Sequence, residues 1–324
     1  MSELPEGIED FLADTPWQAS RIVALPGDAS FRRYFRLHGN GSSAMLMHAP
    51  PPHEDPQPFL DVAGWLTENG QRAPVIHAVD AQAGWVLTED FGDERVREWV
   101  DRNPADERAI YTRAVDTLID LHARPPGPFA PYDMATYQRE AGLFPEWFCE
   151  AANVQLDRAA WDQAWDEVLA SLLTRQQPGV TVLRDYHAEN IMLPTDGGQG
   201  LIDFQDALVG HRAYDLVSLL QDARRDVSPQ LEQDMIAHYV AGACPGEDFA
   251  ADYARLGAQR NAKIVGIFTR LAKRDGKPKY LDLIPRVWRL LERDLVHPAL
   301  EPVARWFDDN IPAQLREAEG RVSA

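Results

Sequence analysis

The sequence predicts an α+β protein in two parts: a small antiparallel sheet with one covering helix over residues 1–90, and a larger, mostly helical part over residues 91–324. Three observations carry this. Short apolar runs of strand length recur between Arg21 and Thr88, separated by Gly- and Pro-containing turns. From Asn103 onward apolar residues return every three or four positions, the period of a helix face. Between Val182 and Asp206 two further apolar runs each lead into an acidic residue, as strand ends do when they carry side chains into a site.

Residues 5–13 read as a short helix with Ile8, Phe11 and Leu12 on one face. Residues 21–25 and 31–37 read as a hairpin joined by the turn at 27–31, and residues 44–48 as a third strand. The proline-rich stretch 50–56 is a stiff connector. A helix over 59–69 follows, with Phe59, Leu60, Val62, Ala63 and Leu66 as its apolar face and Gly70 as its stop. Residues 75–79 and 84–88 complete the sheet. Asn103–Pro104 opens a helix to about His122, on the face Ile110, Ala114, Leu118 and Leu121, with His122 in a structural role.

Prolines between 125 and 131 break the chain. Residues 137–148 support two readings. Glu140 and Glu146 alternating with Phe144 and Trp147 suit a sugar platform, in which rings stack and carboxylates accept hydroxyl hydrogen bonds. The plainer one is an amphipathic helix with Leu143, Phe144 and Trp147 in the core. Further helices are expected over 157–176, 214–223, 229–240, 249–273, 281–296 and 303–307, and the charged tail is expected to fray.

Composition narrows the function. The chain has 324 residues, 45% of them hydrophobic, enough to bury a sizeable core. No run of eighteen apolar residues occurs, so no membrane span is expected, and the acidic start lacks the features of a signal peptide. Cys149 and Cys244 are the only two cysteines, which disfavours a disulfide framework or a zinc cluster. A monomeric cytoplasmic enzyme is the expectation. A formal charge of −19 argues against nucleic acid as a partner. It marks either a site for a cationic substrate or, more simply, a solvated acidic surface.

The chemistry concentrates at 182–206. An apolar run leads into Asp185, Asn190 follows five residues later, and a second run after a Gly-containing turn ends in Asp203. One carboxylate facing an acceptor hydroxyl, with an amide and a second carboxylate holding Mg²⁺ against nucleotide phosphates, is the donor set of metal-dependent phosphoryl transfer. A pair of buried strands with chance acids at the turns would leave the order and spacing unexplained.

These pieces, with Ile202-Asp-Phe-Gln-Asp206 and Gly210-His-Arg-Ala-Tyr-Asp-Leu216, resemble the signature of the aminoglycoside phosphotransferase-like kinases, small-molecule kinases of the protein-kinase fold. The resemblance implies ATP and Mg²⁺ as cofactors, Asp185 as the catalytic base, and Asn190 and Asp203 as metal ligands. It implies that Asp215 braces the catalytic loop. It makes the turn with Gly27 and Ser30 the cover over the phosphates, and residues 88–92, with Glu89 and Phe91, the adenine-contacting hinge.

Two departures follow. The third strand of the family carries a Lys, yet no Lys precedes Lys263 and Met47 stands in its place. Arg32 and Arg33 are the replacements to consider; alternation places them on opposite faces, so at most one reaches the nucleotide. Glu68, in the place of the Lys partner, then has no evident role. In addition, Leu183-Arg184 stands before Asp185 where the family has His-Gly.

An Arg beside the base suits an acceptor with a carboxylate. Arg184, Arg212, Lys263 and Arg270 are the candidate substrate cations, with Glu189, Glu140 and Trp147 as further candidates. The basic stretch 260–277 reads equally as a solvated helix face. Across nearly its whole length the chain resembles the cell-wall-recycling branch of the family, through Gly27-Asp-Ala-Ser-Phe-Arg-Arg-Tyr-Phe-Arg36, Leu183-Arg-Asp-Tyr-His-Ala-Glu-Asn190 and Gly266-Ile-Phe-Thr-Arg-Leu271. That branch phosphorylates the anomeric hydroxyl of N-acetylmuramate and N-acetylglucosamine, which makes a small amino sugar the expected partner. The alternatives are another hydroxylated metabolite, aminoglycoside- or choline-like, and a degenerate nucleotide-binding scaffold.

Overall fold

The protein, described here from a computed structural model, is placed over residues 4–27, 31–39 and 41–322. It divides into two compact units. The first is Met1–Arg102 with Glu189–Asp206, and the second is Asn103–Ala188 with Ala207–Ala324.

The first unit is built on a five-stranded antiparallel sheet. Its strands are β1 (Arg21–Ala24), β2 (Arg33–Gly39), β3 (Ser42–His48), β4 (Ile76–Asp80) and β5 (Trp85–Glu89), in the order β1-β2-β3-β5-β4. The register aligns Phe35 with Leu46, Leu37 with Ala44, and Leu46 with Leu87. These side chains therefore fall on one face, where helix α1 (Ile8–Leu12) adds Ile8 and Leu12. Each large apolar side chain so buried contributes about 1.5–3 kcal/mol. Helix α2 (Gln57–Glu68) buries Phe59, Val62, Ala63 and Leu66, four of the five residues expected, and Phe59 stacks on Phe204 at 5.1 Å. A short helix α3 (Val96–Arg102) was not expected: it buries only Val96 and Val100, too few positions to show a period. The two-stranded hairpin of Ile191–Met192 and Gly200–Leu201 belongs to this unit, tied to it by Leu201 N–H donating to Arg72 O and Leu193 N–H to Glu94 O, each 2.8 Å.

The second unit is helical: α4 (Glu107–His122), α5 (Met134–Ala141), α6 (Arg158–Arg175), α7 (Ala213–Leu220), α8 (Pro229–Ala243), α9 (Phe249–Lys273), α10 (Ile284–Leu295), α11 (Glu301–Asn310) and α12 (Ala313–Glu317). The span of α9 is the one expected. A 3-10 turn, Pro104–Asp106, precedes α4. The helix expected over 137–148 is instead α5 followed by a π-helical segment, Phe144–Cys149, containing Pro145. Phe144 is fully buried against Trp161, with ring centroids 5.4 Å apart, and near Trp288 and Phe307, so the core reading of this ring holds and a platform built on it does not. As far as residue 322 the tail is docked rather than frayed. Arg316 on α12 pairs with Glu292 and Asp308, because its charges find partners on α10 and α11. Among the described residues no helix is long and apolar enough to cross a membrane.

Candidate active site

In the second unit, strand Val180–Val182 pairs with Leu208–Gly210 and delivers the chain to Leu183, Arg184 and Asp185. Arg184 has φ 71°, a left-handed conformation that costs a non-glycine residue about 1–2 kcal/mol. The strain is held from α7. The two carboxylate oxygens of Asp215 accept from Leu183 N–H (2.7 Å) and Arg184 N–H (2.8 Å). Asp215 is fully buried, and burial pushes its carboxyl up to about 7 against those two bonds. The brace expected of Asp215 is thus a two-pronged clamp on the backbone before Asp185.

Asp185 itself is half-buried. Burial alone raises its carboxyl, yet the cations around it, Lys263 foremost and Arg260 and Arg184 behind it, hold it below the ordinary carboxylate range. It is ionised at neutral pH, as a proton acceptor must be. His187 is fully enclosed and burial pushes it down to about 4, which leaves a neutral ring.

Glu140 gathers three partners. One oxygen accepts from Arg184, and the other lies 2.9 Å from Lys263 Nζ and accepts from the Tyr132 hydroxyl. Lys263 also reaches the Tyr214 hydroxyl at 3.3 Å. Arg184 lies 5.8 Å from the centroid of the Tyr132 ring, which stacks on Tyr137 at 3.9 Å. Three of the expected substrate residues, Glu140, Arg184 and Lys263, therefore meet in one cluster.

The others lie elsewhere. Arg212 acts on Tyr239, with which it shares a hydrogen bond, and on His122, whose ring is buried and pushed down to about 3. Trp147 and Arg270 are half-buried. Glu189 is in the first unit, paired with Arg97. Sequence reasoning passed over Tyr132 and His187, and took Arg260 only as part of the basic stretch 260–277. Arg260 carried a signal, one turn before Lys263 on the same helix; it is 3% exposed and donates to Ser218 Oγ at 2.7 Å.

In the first unit, Asn190 and Asp203 adjoin. Asn190 Nδ2 lies 3.3 Å from Asp203 Oδ2, and Ile202 N–H donates to Asn190 O. Asp203 also holds a left-handed φ of 60° and accepts from Gln205 Nε2 at 3.0 Å. An amide oxygen and a carboxylate placed side by side are the hard donors that Mg²⁺ takes, with phosphate and water supplying the remainder. The donor set fits that ion; no group of three or more His, Cys, Asp or Glu side chains of the kind zinc would use occurs among the described residues.

The sheet sorts the two arginines. Arg33 lies over the Phe35 ring, 5.1 Å from its centroid, and opposite His48, on the face of the core cluster. Arg32 pairs with Glu54 at 3.5 Å and acts, with Asp203, on the Tyr34 phenol. Tyr34 aligns with Met47, so of Arg32 and Arg33 it is Arg32 that falls on the face of Met47; Arg36, opposite Met45 on that face, is taken up by Asp90 and Asp93. Glu68 is exposed. Glu89 is bound by Arg72 (2.8 Å) and accepts from Val75 N–H, and Phe91 lies under Arg72 against Gly200, where any Cβ would fall 2.5 Å from the ring. Nothing crowds Gly27, and Ser30 lies outside the described residues.

Comparison with known proteins follows the same lines. A model of the phosphotransferase enzyme family matches residues 21–258. The chain is 36% identical to an N-acetylmuramate/N-acetylglucosamine kinase of Caulobacter vibrioides, over 94% of this chain and 96% of that protein. To proteins of the same description from Pseudomonas aeruginosa and Neisseria meningitidis serogroup B it is 37% and 38% identical, over 84% of this chain and 83% and 85% of theirs. Among solved structures it is similar to the choline kinase LicA from Streptococcus pneumoniae (TM-score 0.60, 13% identity, 84% of this chain and 94% of that one). It is also similar to a gentamicin complex of APH(2'')-IIa (TM-score 0.62, 12% identity, 89% and 97%). These likenesses bear on architecture alone, and the α+β, protein-kinase-like fold is the one they share.

Proposed function

The chain belongs to the phosphotransferase enzyme family, and from that premise we propose that it is an ATP- and Mg²⁺-dependent kinase of the anomeric hydroxyl of N-acetylmuramate and N-acetylglucosamine, acting in the cytoplasm in peptidoglycan recycling. The observation that carries the chemistry is Asp185, kept ionised by Lys263, Arg260 and Arg184 on a loop clamped by Asp215. The substrate rests on the four relatives of that description at 34–38% identity.

In this reading the anomeric O–H breaks, its proton passes to the Asp185 carboxylate, and the oxygen bonds to the γ-phosphorus as the bond to ADP breaks. Asn190 and Asp203 would hold Mg²⁺, which supplies neutralisation of phosphate charge when bound. Arg32 takes the part of the absent strand Lys, and the backbone at Glu89 and Phe91 meets the adenine. Arg184 and Lys263 face the acceptor. Two cations beside the base disfavour a polycationic aminoglycoside or a choline-like amine, and a scaffold without turnover has no use for an ionised Asp185.

Phosphorus NMR of a reaction with ATP, Mg²⁺ and either sugar tests it. A sugar-phosphate resonance coupled to a single proton, that of the anomeric carbon, is the expected product signal. A product coupled to two protons places the phosphate at a primary hydroxyl and removes the anomeric assignment; unchanged ATP removes the sugar.

A further inference from the structure

Glu140 stands where two cations need an anion. Its two oxygens take Arg184 on one side and Lys263, at 2.9 Å, on the other, so three charges sum to one positive charge next to the catalytic carboxylate. All three side chains are largely enclosed, Glu140 at 8% exposed, Lys263 at 12% and Arg184 at 19%, so a ligand that reaches this cluster meets charges withdrawn from most of their water. The Tyr132 hydroxyl donates to Glu140, and the Tyr132 and Tyr214 rings lie 5.8 Å and 5.9 Å from Arg184 and Lys263. Burial alone raises the Glu140 carboxyl, and Lys263 and Arg184 more than reverse this, so the anion is present at neutral pH.

We infer that Glu140 is the specificity-determining residue of the acceptor site, an internal carboxylate that offsets one of the two charges of Arg184 and Lys263 when the acceptor sugar brings no carboxylate and competes with it when it does. The inference rests on the substrate reading above. A buried cation pair without an anion is costly, and removing one partner of such a cluster exposes the rest to the full penalty. An uncharged sugar therefore finds a site in which Glu140 already offsets one of the two cations. A sugar carrying a carboxylic side arm finds one cation in excess and shares it with Glu140. One pocket thereby accepts both classes, at some loss of affinity for the acidic one.

The test compares kcat/KM for N-acetylmuramate and N-acetylglucosamine in the wild type, in Glu140→Gln and in Lys263→Met. Glu140→Gln keeps shape and removes the charge. It is expected to raise the ratio in favour of N-acetylmuramate by about tenfold, chiefly through KM, one tenfold step being about 1.4 kcal/mol. Lys263→Met is expected to lower the ratio. A folding defect, or a change in Asp185 itself, moves both sugars together and leaves the ratio alone. Calorimetric titration with N-acetylmuramate alone gives a reading free of turnover: tighter for Glu140→Gln, weaker for Lys263→Met. An unchanged or reversed ratio in Glu140→Gln, with the wild type active on both sugars, overturns this inference and leaves the substrate reading standing. A wild type that turns over neither sugar overturns both.

Discussion

Arg184 makes two contributions, and they come from different atoms. Its backbone, with φ 71° and an N–H held by Asp215, shapes the loop; its side chain, bound to Glu140, sets the charge beside Asp185. Asp185 and Asp203 can be separated in the same way. Asp185→Ala is expected to lower turnover by at least three orders of magnitude while nucleotide affinity, followed by fluorescence titration, stays within a few-fold of wild type. Asp203→Ala is expected to weaken Mg²⁺-nucleotide binding itself by tenfold or more. Near-normal turnover in the first variant would remove Asp185 as base. Arg32 was one of two equal choices in the sequence, because alternation states only that Arg32 and Arg33 differ in face. The ladder decides between them by setting Tyr34 against Met47.

At the scale of elements, α9 unites site and core. One turn of it supplies Arg260 and Lys263, and the next approaches the chain between α5 and the π-helical segment. Gly266 is the point of closest approach, since a Cβ there would fall 2.3 Å from the backbone oxygen of Leu143. Neither side is a flexible side chain, so Gly266→Ala is expected to destabilise the protein by about 1–3 kcal/mol, read from the midpoint of urea unfolding. A midpoint equal to that of the wild type would mean that the two segments can part without cost. The basic stretch of this helix shows how an apparent solvated face turns inward. Arg260 and Lys263 are three residues apart and share one face, while Lys273, at the end of the helix, is exposed.

For the whole molecule, the charge of −19 and the cations at the catalytic loop have opposite signs. The overall charge therefore describes the surface and says little about the pocket. Stability against pH is set by buried groups. Asp294, 6% exposed, accepts from Gln221 Nε2 (3.0 Å) and Asn261 Nδ2 (3.2 Å), and burial pushes its carboxyl up to about 8. A raised carboxyl favours the folded state in its protonated form. Its contribution is fully present below the unfolded value of about 4 and is lost as pH rises through about 8. The melting temperature is expected to fall between pH 6 and 9, and Asp294→Asn to flatten that fall by roughly one proton's worth. Equal slopes in the two proteins would show that Asp294 is ionised throughout. Asp215, pushed up to about 7, adds a fall of the same sign.

By itself the sequence determined the two-part α+β plan, most of its strands and helices and the phosphotransferase class, and it singled out Asp185, Asn190, Asp203 and Asp215 as the candidate site. All of these are written in local patterns: a period of two or of 3.6, a turn residue, a set of donors within a few tens of positions. The helix over 137–148 was misread because Pro145 and the packing of Phe144 against Trp161 replace one periodic helix by two segments. Only the tertiary structure decided that Glu140 binds Arg184 and Lys263, that Arg260 is buried, and that Arg212 turns to His122 and Tyr239. Those contacts join α5, the loop after Val180–Val182, α7 and α9, and electrostatic attraction between side chains so far apart in the chain leaves no trace in local periodicity. It appears only once the chain has closed on itself and withdrawn the charges from water.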